Sequence, residues 1–240
     1  MKTKRNSSSI ICGLTIALFG LAAATHAQPT VLSSGHVDIF EAEYELHDEV
    51  PEIHLGVHTD DGHFEPGNVL LQVKNGAYRS TDGLLVEITS ILGPNAWILP
   101  SDIETAHDLG VIEAGVAKAG FPNTSAVTFT LVSAGASNPG NFVLFTSGNA
   151  IRLSAIGGDV GTASFGITAG HIHYNWGFSA AGTYIFDMQA SYTDPAYGNL
   201  QSPVETYTFE VVPEPSTYAL LALGAGALAL MRWRKRSRQS

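Results

Sequence analysis

Apolar residues recur at every second position along much of residues 28–211. Within the segment 183–193 the apolar positions are Tyr184, Phe186, Met188, Ala190 and Tyr192. Ile185 is the one exception to the alternation in that segment. Successive side chains of a strand point to opposite faces, so this period buries one face and leaves the other toward solvent. The segments 127–131, 142–145 and 206–211 have similar patterns, and all four are predicted to be strands.

Short segments of this kind are separated throughout by Gly, Asn, Pro and Ser, which are typical of turns. Residues 28–211 are numerous enough for one domain with a real core. The pattern therefore predicts an all-β fold, an antiparallel β-sandwich of immunoglobulin-like or jelly-roll-like type. A helical turn is expected only within 101–118, where Gly110 and Gly115 argue against a long helix.

The C-terminal residues follow a different pattern. Pro213, Glu214 and Pro215 are followed by an apolar run, residues 218–231, and then by five Arg and Lys residues. The run of 14 residues is shorter than the roughly 20 that cross a bilayer core comfortably as a helix. The basic cluster would hold that end on the cytoplasmic side of the membrane.

This three-part arrangement of residues 212–240 resembles the PEP-CTERM sorting signal of exported bacterial surface proteins. The resemblance implies a short hydrophobic membrane helix that anchors the chain transiently. An exosortase-like sorting protease in the membrane would then cleave near Pro213, Glu214 and Pro215. The alternative is a permanent tail anchor in a thinned bilayer. Both interpretations place the body of the protein outside the inner membrane, at the cell surface or in the extracellular matrix.

The N-terminal residues agree with export. Lys2, Lys4 and Arg5 precede an apolar segment, residues 10–24, which is followed by small residues at the positions that a signal peptidase inspects. Residues 1–27 are therefore predicted to be a signal helix. The predicted cleavage lies between Ala27 and Gln28.

The composition of the predicted mature segment excludes several classes of function. Cys12, the single cysteine, lies within the signal helix, so disulfides and thiolate metal sites are excluded. Four basic residues and 21 of the 22 acidic residues remain between the two signals, which gives a net charge of −17. Such a surface repels nucleic acid and anionic lipid and attracts cations, although solubility alone would also account for it.

His171 and His173 form the strongest candidate metal site. On a strand these two rings share one face with Asn175, while Trp176 belongs to the other face. At about 3.3 Å per residue their backbone positions lie roughly 6.6 Å apart, from which two imidazoles can converge on one ion.

His36 and Asp38 repeat this spacing with a carboxylate at the second position. Together with His171 and His173 they would supply a sulfur-free site suited to zinc or a similar divalent ion, if the fold brings the two segments together. The apolar phase slips between Ile39 and Phe40, which predicts a β-bulge and leaves open the face on which His36 lies.

His58 and His63 are candidate additional ligands, because a turn at residues 60–62 would let their rings approach each other. The Asp-Asp-Gly sequence of that turn could alternatively hold calcium through oxygen ligands. His54 would lie roughly 13 Å from His58, too far to share an ion. Two further histidines are predicted to be ordinary surface residues: His47 and His107.

Several motifs resemble a bacterial surface-anchored domain called choice-of-anchor M. They lie at residues 35–39, 96–100, 109–110, 170–179 and 182–184. Together with the C-terminal signal, the combination resembles a group described as zinc-regulated PEP-CTERM proteins. The resemblance implies capture or handling of a divalent metal, zinc above all, at the cell surface.

The case for an enzyme is weak. The sequence contains no Gly-x-Ser-x-Gly motif and offers no cysteine nucleophile. A cupin-like sheet would want a glutamate soon after His173, where residues 177–179 are Gly, Phe and Ser. A zinc-bound water held by His and Asp ligands is the one catalytic alternative. The sequence therefore predicts a non-catalytic, exported metal-binding protein, with a structural or adhesive component of the extracellular polysaccharide (biofilm) matrix as the alternative.

Overall fold

The structure is a computed structural model, and it describes residues 28–122 and 124–213. The predicted signal helix and nearly all of the predicted sorting signal lie outside the described residues. The strands are β1 (Thr30–Leu32), β2 (Gly35–His47), β3 (Val50–Thr59), β4 (Gly62–Phe64), β5 (Val69–Val73), β6 (Tyr78–Ser80), β7 (Asn95–Leu99), β8 (Ile112–Ala119), β9 (Val127–Ala134), β10 (Phe142–Phe145), β11 (Ile151–Ile156), β12 (Asp159–Val160), β13 (Ser164–Ile167), β14 (His171–His173), β15 (Asn175–Phe178), β16 (Gly182–Asp194), β17 (Gly198–Gln201) and β18 (Glu205–Val211). The helices are α1 (Val86–Leu92), α2 (Ile103–Leu109) and two 3-10 turns, Pro66–Asn68 and Asn75–Ala77.

The strands form three sheets in a sandwich-like arrangement, which confirms the predicted all-β class. The seven-stranded sheet has the order β1-β5-β18-β16-β9-β13, with β17 paired to β16. The six-stranded sheet has the order β12-β11-β10-β15-β7-β6, and the five-stranded sheet has the order β14-β8-β2-β3-β4.

The predicted antiparallel pairing holds for most strand pairs, but three pairs among the described residues are parallel. These pairs are β1 with β5, β5 with β18, and β2 with β8. A parallel pair requires a crossover connection. The chain between β2 and β8 provides one, since it runs through β3 to α2 before it returns to the same sheet. Alternation within a strand does not reveal such a crossover, because it reports only which side of the strand is buried.

The four segments predicted from alternation are strands, and three of them bury the expected face. The exception is β10, whose four residues are all buried. In β16 the five alternating apolar residues are buried, and Ile185 on the opposite face is 37% exposed. The predicted helical turn is α2, which ends at Gly110 in the left-handed conformation (φ 61°). Helix α1 was not predicted, because its β-branched residues favour a strand in isolation. It forms nevertheless and buries Ile88 and Leu92.

Aromatic rings fill the core between the sheets. Trp176 is fully buried, and its ring centroid lies 4.9 Å from that of Phe40, 5.8 Å from that of Phe209 and 6.1 Å from that of Phe142. Trp176 belongs to β15 and Phe40 to β2, so this contact packs the six-stranded sheet against the five-stranded sheet. Close-packed aromatic contacts of this kind hold β2 in a defined position.

Strand β2 contains the predicted bulge. Asp38 pairs with His58 of β3 and Glu41 pairs with Gly56, so β2 advances three residues while β3 advances two. The register with β8 shifts between Asp38 and Phe40 as well. An extra residue of this kind re-aims the side chains that follow it. As a result, Phe40 packs into the core, while Asp38 and Glu41 face the same side as the histidines.

None of the helices within residues 28–122 and 124–213 combines the length and the apolar character that a membrane crossing requires.

Candidate metal site

The candidate ligands lie on the face of the five-stranded sheet that points away from the aromatic core. The core face of this sheet carries residues such as Val37, Leu55 and Val116. The opposite face, here called the ligand face, carries His36, Asp38, Glu41 and Glu43 of β2, His58 of β3, His63 of β4, Glu113 and Gly115 of β8, and His171 and His173 of β14. Strand order therefore brings together side chains that are far apart in the sequence.

His36, His171 and His173 form a cluster that we call the histidine triad. One ring nitrogen from each lies within 4.8 Å of one from each of the others. Nε2 of His171 is 2.6 Å from Nε2 of His173, and the His36 ring centroid lies 5.0 Å from that of His171. Nitrogens bound to one tetrahedral zinc ion stand about 3.3 Å apart, since each Zn–N distance is about 2.0–2.1 Å. Small side-chain movements would therefore suffice to hold an ion.

Asp38 is the buried carboxylate beside the triad. It is only 4% exposed, and its Oδ1 lies 2.7 Å from Nδ1 of His171 and 3.7 Å from Nε2 of His36. The distance to His171 is that of a hydrogen bond, but the two groups are not oriented to form one. Oδ1 of Asp38 therefore has no hydrogen-bond donor. A buried carboxylate oxygen without a donor is costly unless a positive charge compensates it.

Gly115 of β8 makes this arrangement possible. A Cβ atom on Gly115 would collide with Oδ1 of Asp38 and lie 2.7 Å from Cε1 of His171. Gly115 pairs with Asp38 on one side and with His173 on the other. The missing side chain therefore leaves the space in which the carboxylate and the imidazole meet.

Glu41, His58 and His63 form a second cluster, here called the glutamate cluster. One ligand atom from each lies within 4.8 Å of one from each of the others. Nδ1 of His58 is 3.7 Å from Oε1 of Glu41, and Nδ1 of His63 is 3.2 Å from Oε2. The rings of His58 and His63 stack at 4.3 Å across the hairpin that joins β3 to β4.

The surroundings of Glu41 disfavour its charged form. Glu41 is 4% exposed, and its Oε2 has no hydrogen-bond donor. Burial, followed by the negative charges of Glu43 and Asp38, raises the pKa of Glu41 to about 7, against the opposing effect of His63. A bound cation would remove this penalty, because it stabilises the ionised carboxylate.

His173 is held in the form that binds metals. Burial, and next the neighbouring rings of His171 and His36, lower the pKa of His173 below its usual value. Asp38 opposes this shift. A neutral imidazole has a free lone pair, which is the form that coordinates zinc.

The ion-pair partners of the carboxylates are histidines, which are charged only when protonated. Throughout residues 28–122 and 124–213, every ion pair within 4.0 Å joins a histidine to an acidic residue. The Lys118 ammonium, also on β8, donates instead to the carbonyl oxygen of Ser125. The ligand face thus carries buried acids without a permanently charged counter-ion within that distance.

The other predicted residues lie at the margins of this face or away from it. His54 is half-exposed and contacts Glu52 at 3.4 Å. Asn175 belongs to β15 of another sheet, where its Oδ1 accepts a hydrogen bond from the Ser101 amide. Two histidines are surface residues, with side chains 79% and 88% exposed: His47 and His107.

Sequence reasoning missed four contributors. Glu41 and Glu43 were missed because positions three and five residues after Asp38 belong to the opposite face of a regular strand, and the bulge reverses this. The slip between Ile39 and Phe40 was the signal that could have found them. Glu113, whose Oε1 lies 3.7 Å from Nε2 of His173, and Gly115 were missed because nothing in the sequence shows that β8 lies between β14 and β2.

A cavity of about 310 Å³ lies next to residues that neighbour the triad. Its lining includes Gly35, which precedes His36 in the chain, Glu113, whose Oε1 lies 3.7 Å from Nε2 of His173, and the exposed His107. The triad histidines themselves do not line it.

Comparison with known families identifies the C-terminal segment. Residues 211–236 match the PEP-CTERM protein-sorting motif. The matched range contains the predicted sorting residues, of which Pro213 is exposed at the end of the described chain, while Glu214 and Pro215 lie beyond it. A search of curated proteins found no match.

The motif supports an exported protein that exosortase-type machinery sorts toward the cell envelope and surface. The match covers the tail alone, so the resemblance of residues 28–211 to the choice-of-anchor M domain stays a prediction.

Proposed function

We propose that this exported protein is a non-catalytic binder of a divalent metal ion, zinc above all, that captures or handles the metal at the cell surface. The histidine triad with Asp38 is the proposed site. The observation that carries the proposal is that three imidazoles from two remote strands meet beside a buried carboxylate that has no Lys or Arg partner within 4.0 Å among the described residues.

The donor set favours zinc over calcium or magnesium. Imidazole nitrogen with one carboxylate is a common zinc environment, whereas calcium and magnesium prefer oxygen ligands alone. The predicted calcium site at residues 60–62 uses oxygens from Asp60 and Asp61, and Asp60 is 89% exposed and turned toward His36 at 3.8 Å. The triad offers three nitrogens in place of such an oxygen cage.

Calorimetric titration of the metal-free protein with zinc tests the proposal. A tight site is expected in the wild type and is expected to vanish in the double variant His171→Ala, His173→Ala. The variant His47→Ala is the control, because it removes an exposed histidine whose ion-pair partner is Asp48 rather than a residue of the ligand face. An unchanged isotherm in the double variant would refute the proposed site.

The second candidate is a structural or adhesive role in the extracellular polysaccharide matrix, in which the β-fold is only a scaffold. The sorting motif is equally compatible with this role and with metal binding, because the motif specifies the destination of the protein rather than its activity. This role predicts retention in the polysaccharide fraction and the same melting temperature with zinc and with chelator. A melting temperature that zinc raises, calcium leaves unchanged and chelator restores would show that a scaffold role alone is insufficient.

A further inference from the structure

We propose that the ligand face binds two divalent ions side by side, one at the histidine triad and one at the glutamate cluster, with Asp38 between them as a shared carboxylate. This inference rests on the proposed function, because it takes the triad as the first site. It adds a second site and a link between the two sites.

The glutamate cluster has the ligands of a separate site. Glu41 lies 3.7 Å from His58 and 3.2 Å from His63, and the two histidines pair across the hairpin between β3 and β4. Both side chains are partly exposed, so their stacked rings can rotate toward one ion. Oε1 of Glu43 also lies 2.9 Å from Nδ1 of His63. Two imidazoles and one or two carboxylates match the ligand types that zinc and similar ions take.

The burial of Glu41 is the second, independent observation. Its side chain is about 5% exposed, and Oε2 points into the cluster without a hydrogen-bond donor. A glutamate of this kind is normally paired or bound to metal. Its nearest positive partners are histidines, which are charged only when protonated. A divalent ion at this position supplies the missing positive charge.

Asp38 connects the two clusters through its two oxygens. Oδ1 faces the triad, at 2.7 Å from His171, while Oδ2 lies 3.8 Å from Nδ1 of His58 in the glutamate cluster. His58 pairs directly with Asp38 across β2 and β3. A carboxylate placed in this way lowers the repulsion between two neighbouring cations, as carboxylates of two-metal sites do.

The charge of the ligand face also fits two ions better than one. Five carboxylates lie within 4.0 Å of its histidines: Asp38, Glu41, Glu43, Asp60 and Glu113. When all five are ionised, one divalent ion leaves three negative charges and two leave one. The second ion is expected to bind more weakly than the first, because the first has already neutralised part of the field.

Zinc stoichiometry tests the inference. Elemental analysis after equilibration with zinc, together with calorimetry, is expected to give two ions per chain in the wild type. Glu41→Gln and His63→Ala are each expected to reduce the number to one and to preserve the tighter step. His63 is 53% exposed, so its variant leaves the buried part of the sheet untouched. Glu45→Gln, an exposed change on the same strand, is the matched control and is expected to keep both ions.

Asp38→Asn tests the link between the sites. It is expected to weaken both binding steps by at least about tenfold, because both ions lose a charged ligand oxygen and even a carboxylate that only supports ligand histidines contributes roughly 10–100-fold. The circular dichroism spectrum of each variant checks that the fold is intact.

The outcomes separate the two proposals. If the wild type binds two ions and Glu41→Gln loses only the weaker one, the proposed function and the two-ion inference are both supported. One ion that depends on His171 and His173 and survives Glu41→Gln overturns the second site and leaves the proposed function standing. One ion that depends equally on both clusters also overturns the two-ion arrangement. The absence of any bound ion overturns both.

Discussion

Gly115 leaves open the space that the carboxylate of Asp38 occupies. The two residues pair on neighbouring parallel strands, and a Cβ at position 115 would overlap Oδ1 of Asp38. The same Cβ atom would lie only 2.7 Å from Cε1 of His171. The close approach of the acid and the imidazole therefore depends on a residue that contributes no ligand.

Gly115→Ala is expected to weaken zinc binding at the triad by at least about tenfold, because the methyl group separates Asp38 from His171 and a supporting carboxylate contributes this much. Gly56→Ala is the matched control. Gly56 lies on the same face, in β3, and a Cβ there makes only an ordinary contact of 3.6 Å with the Phe64 carbonyl oxygen. Calorimetry of both variants checks the prediction, and equal affinities would contradict the role assigned to Gly115.

Glu41 is expected to make the stability of the metal-free protein depend on pH. Its pKa is about 7 in the folded chain, above the usual value of 4.5, so the folded state binds the proton more tightly. The stability that Glu41 contributes is present below about pH 4.5 and is lost as the pH rises through about 7. Glu41→Gln should therefore gain stability relative to the wild type across this window.

Urea unfolding in chelator at a series of pH values measures this difference. The comparison between the two proteins cancels the opposite effect of His173, whose lowered pKa makes protonation destabilising. Glu45→Gln, which makes the same substitution at an exposed position of β2, is the control. If the difference in the free energy of unfolding between wild type and Glu41→Gln did not change with pH, the energetic cost assigned to the buried carboxylate would be contradicted.

Phe40 is expected to anchor the bulge of β2 to the core. Its ring centroid lies 4.9 Å from those of both Trp176 and Tyr207. Phe40→Ala should lower the free energy of unfolding by about 3–5 kcal/mol, the usual cost of a cavity left by a buried aromatic ring. Leu46→Ala, on the same strand but 65% exposed, should change it by no more than about 0.5 kcal/mol. Similar losses in the two variants would show that the ring contributes little.

The sorting motif makes a prediction about the mature C-terminus. Protein purified from the cell surface is expected to end near Pro213, Glu214 and Pro215, because the motif is the proposed cleavage signal. Glu214→Ala is expected to accumulate a longer, membrane-bound form. Intact-mass measurement of both fractions checks this result. A wild-type surface protein that retains residues 218–231 would indicate a permanent anchor instead.

The predicted all-β class and the faces of strands such as β16 and β18 were correct because alternation is a local property. In β10 all four residues are buried, because that strand is covered on both faces. Tyr184 and Phe209 are buried because they occupy every second position of their strands. This position can be counted directly from the sequence. The same argument placed His171 and His173 on one face. It failed at α1, where packing of Ile88 and Leu92 overrides the strand preference of the β-branched residues around them.

The sequence by itself determined the sorting signal, the absence of thiols in residues 28–240, the acidic surplus and the spacing of histidines within each strand. The tertiary structure decided the rest. Strand β8 pairs with β2 on one side and with β14 on the other, which brings His36 and Asp38 within reach of His171 and His173 across β8. The bulge turns Glu41 toward the same side. Neither could be read from the chain, because strand order depends on the packing of distant segments, whereas periodicity records only the immediate neighbours of each residue.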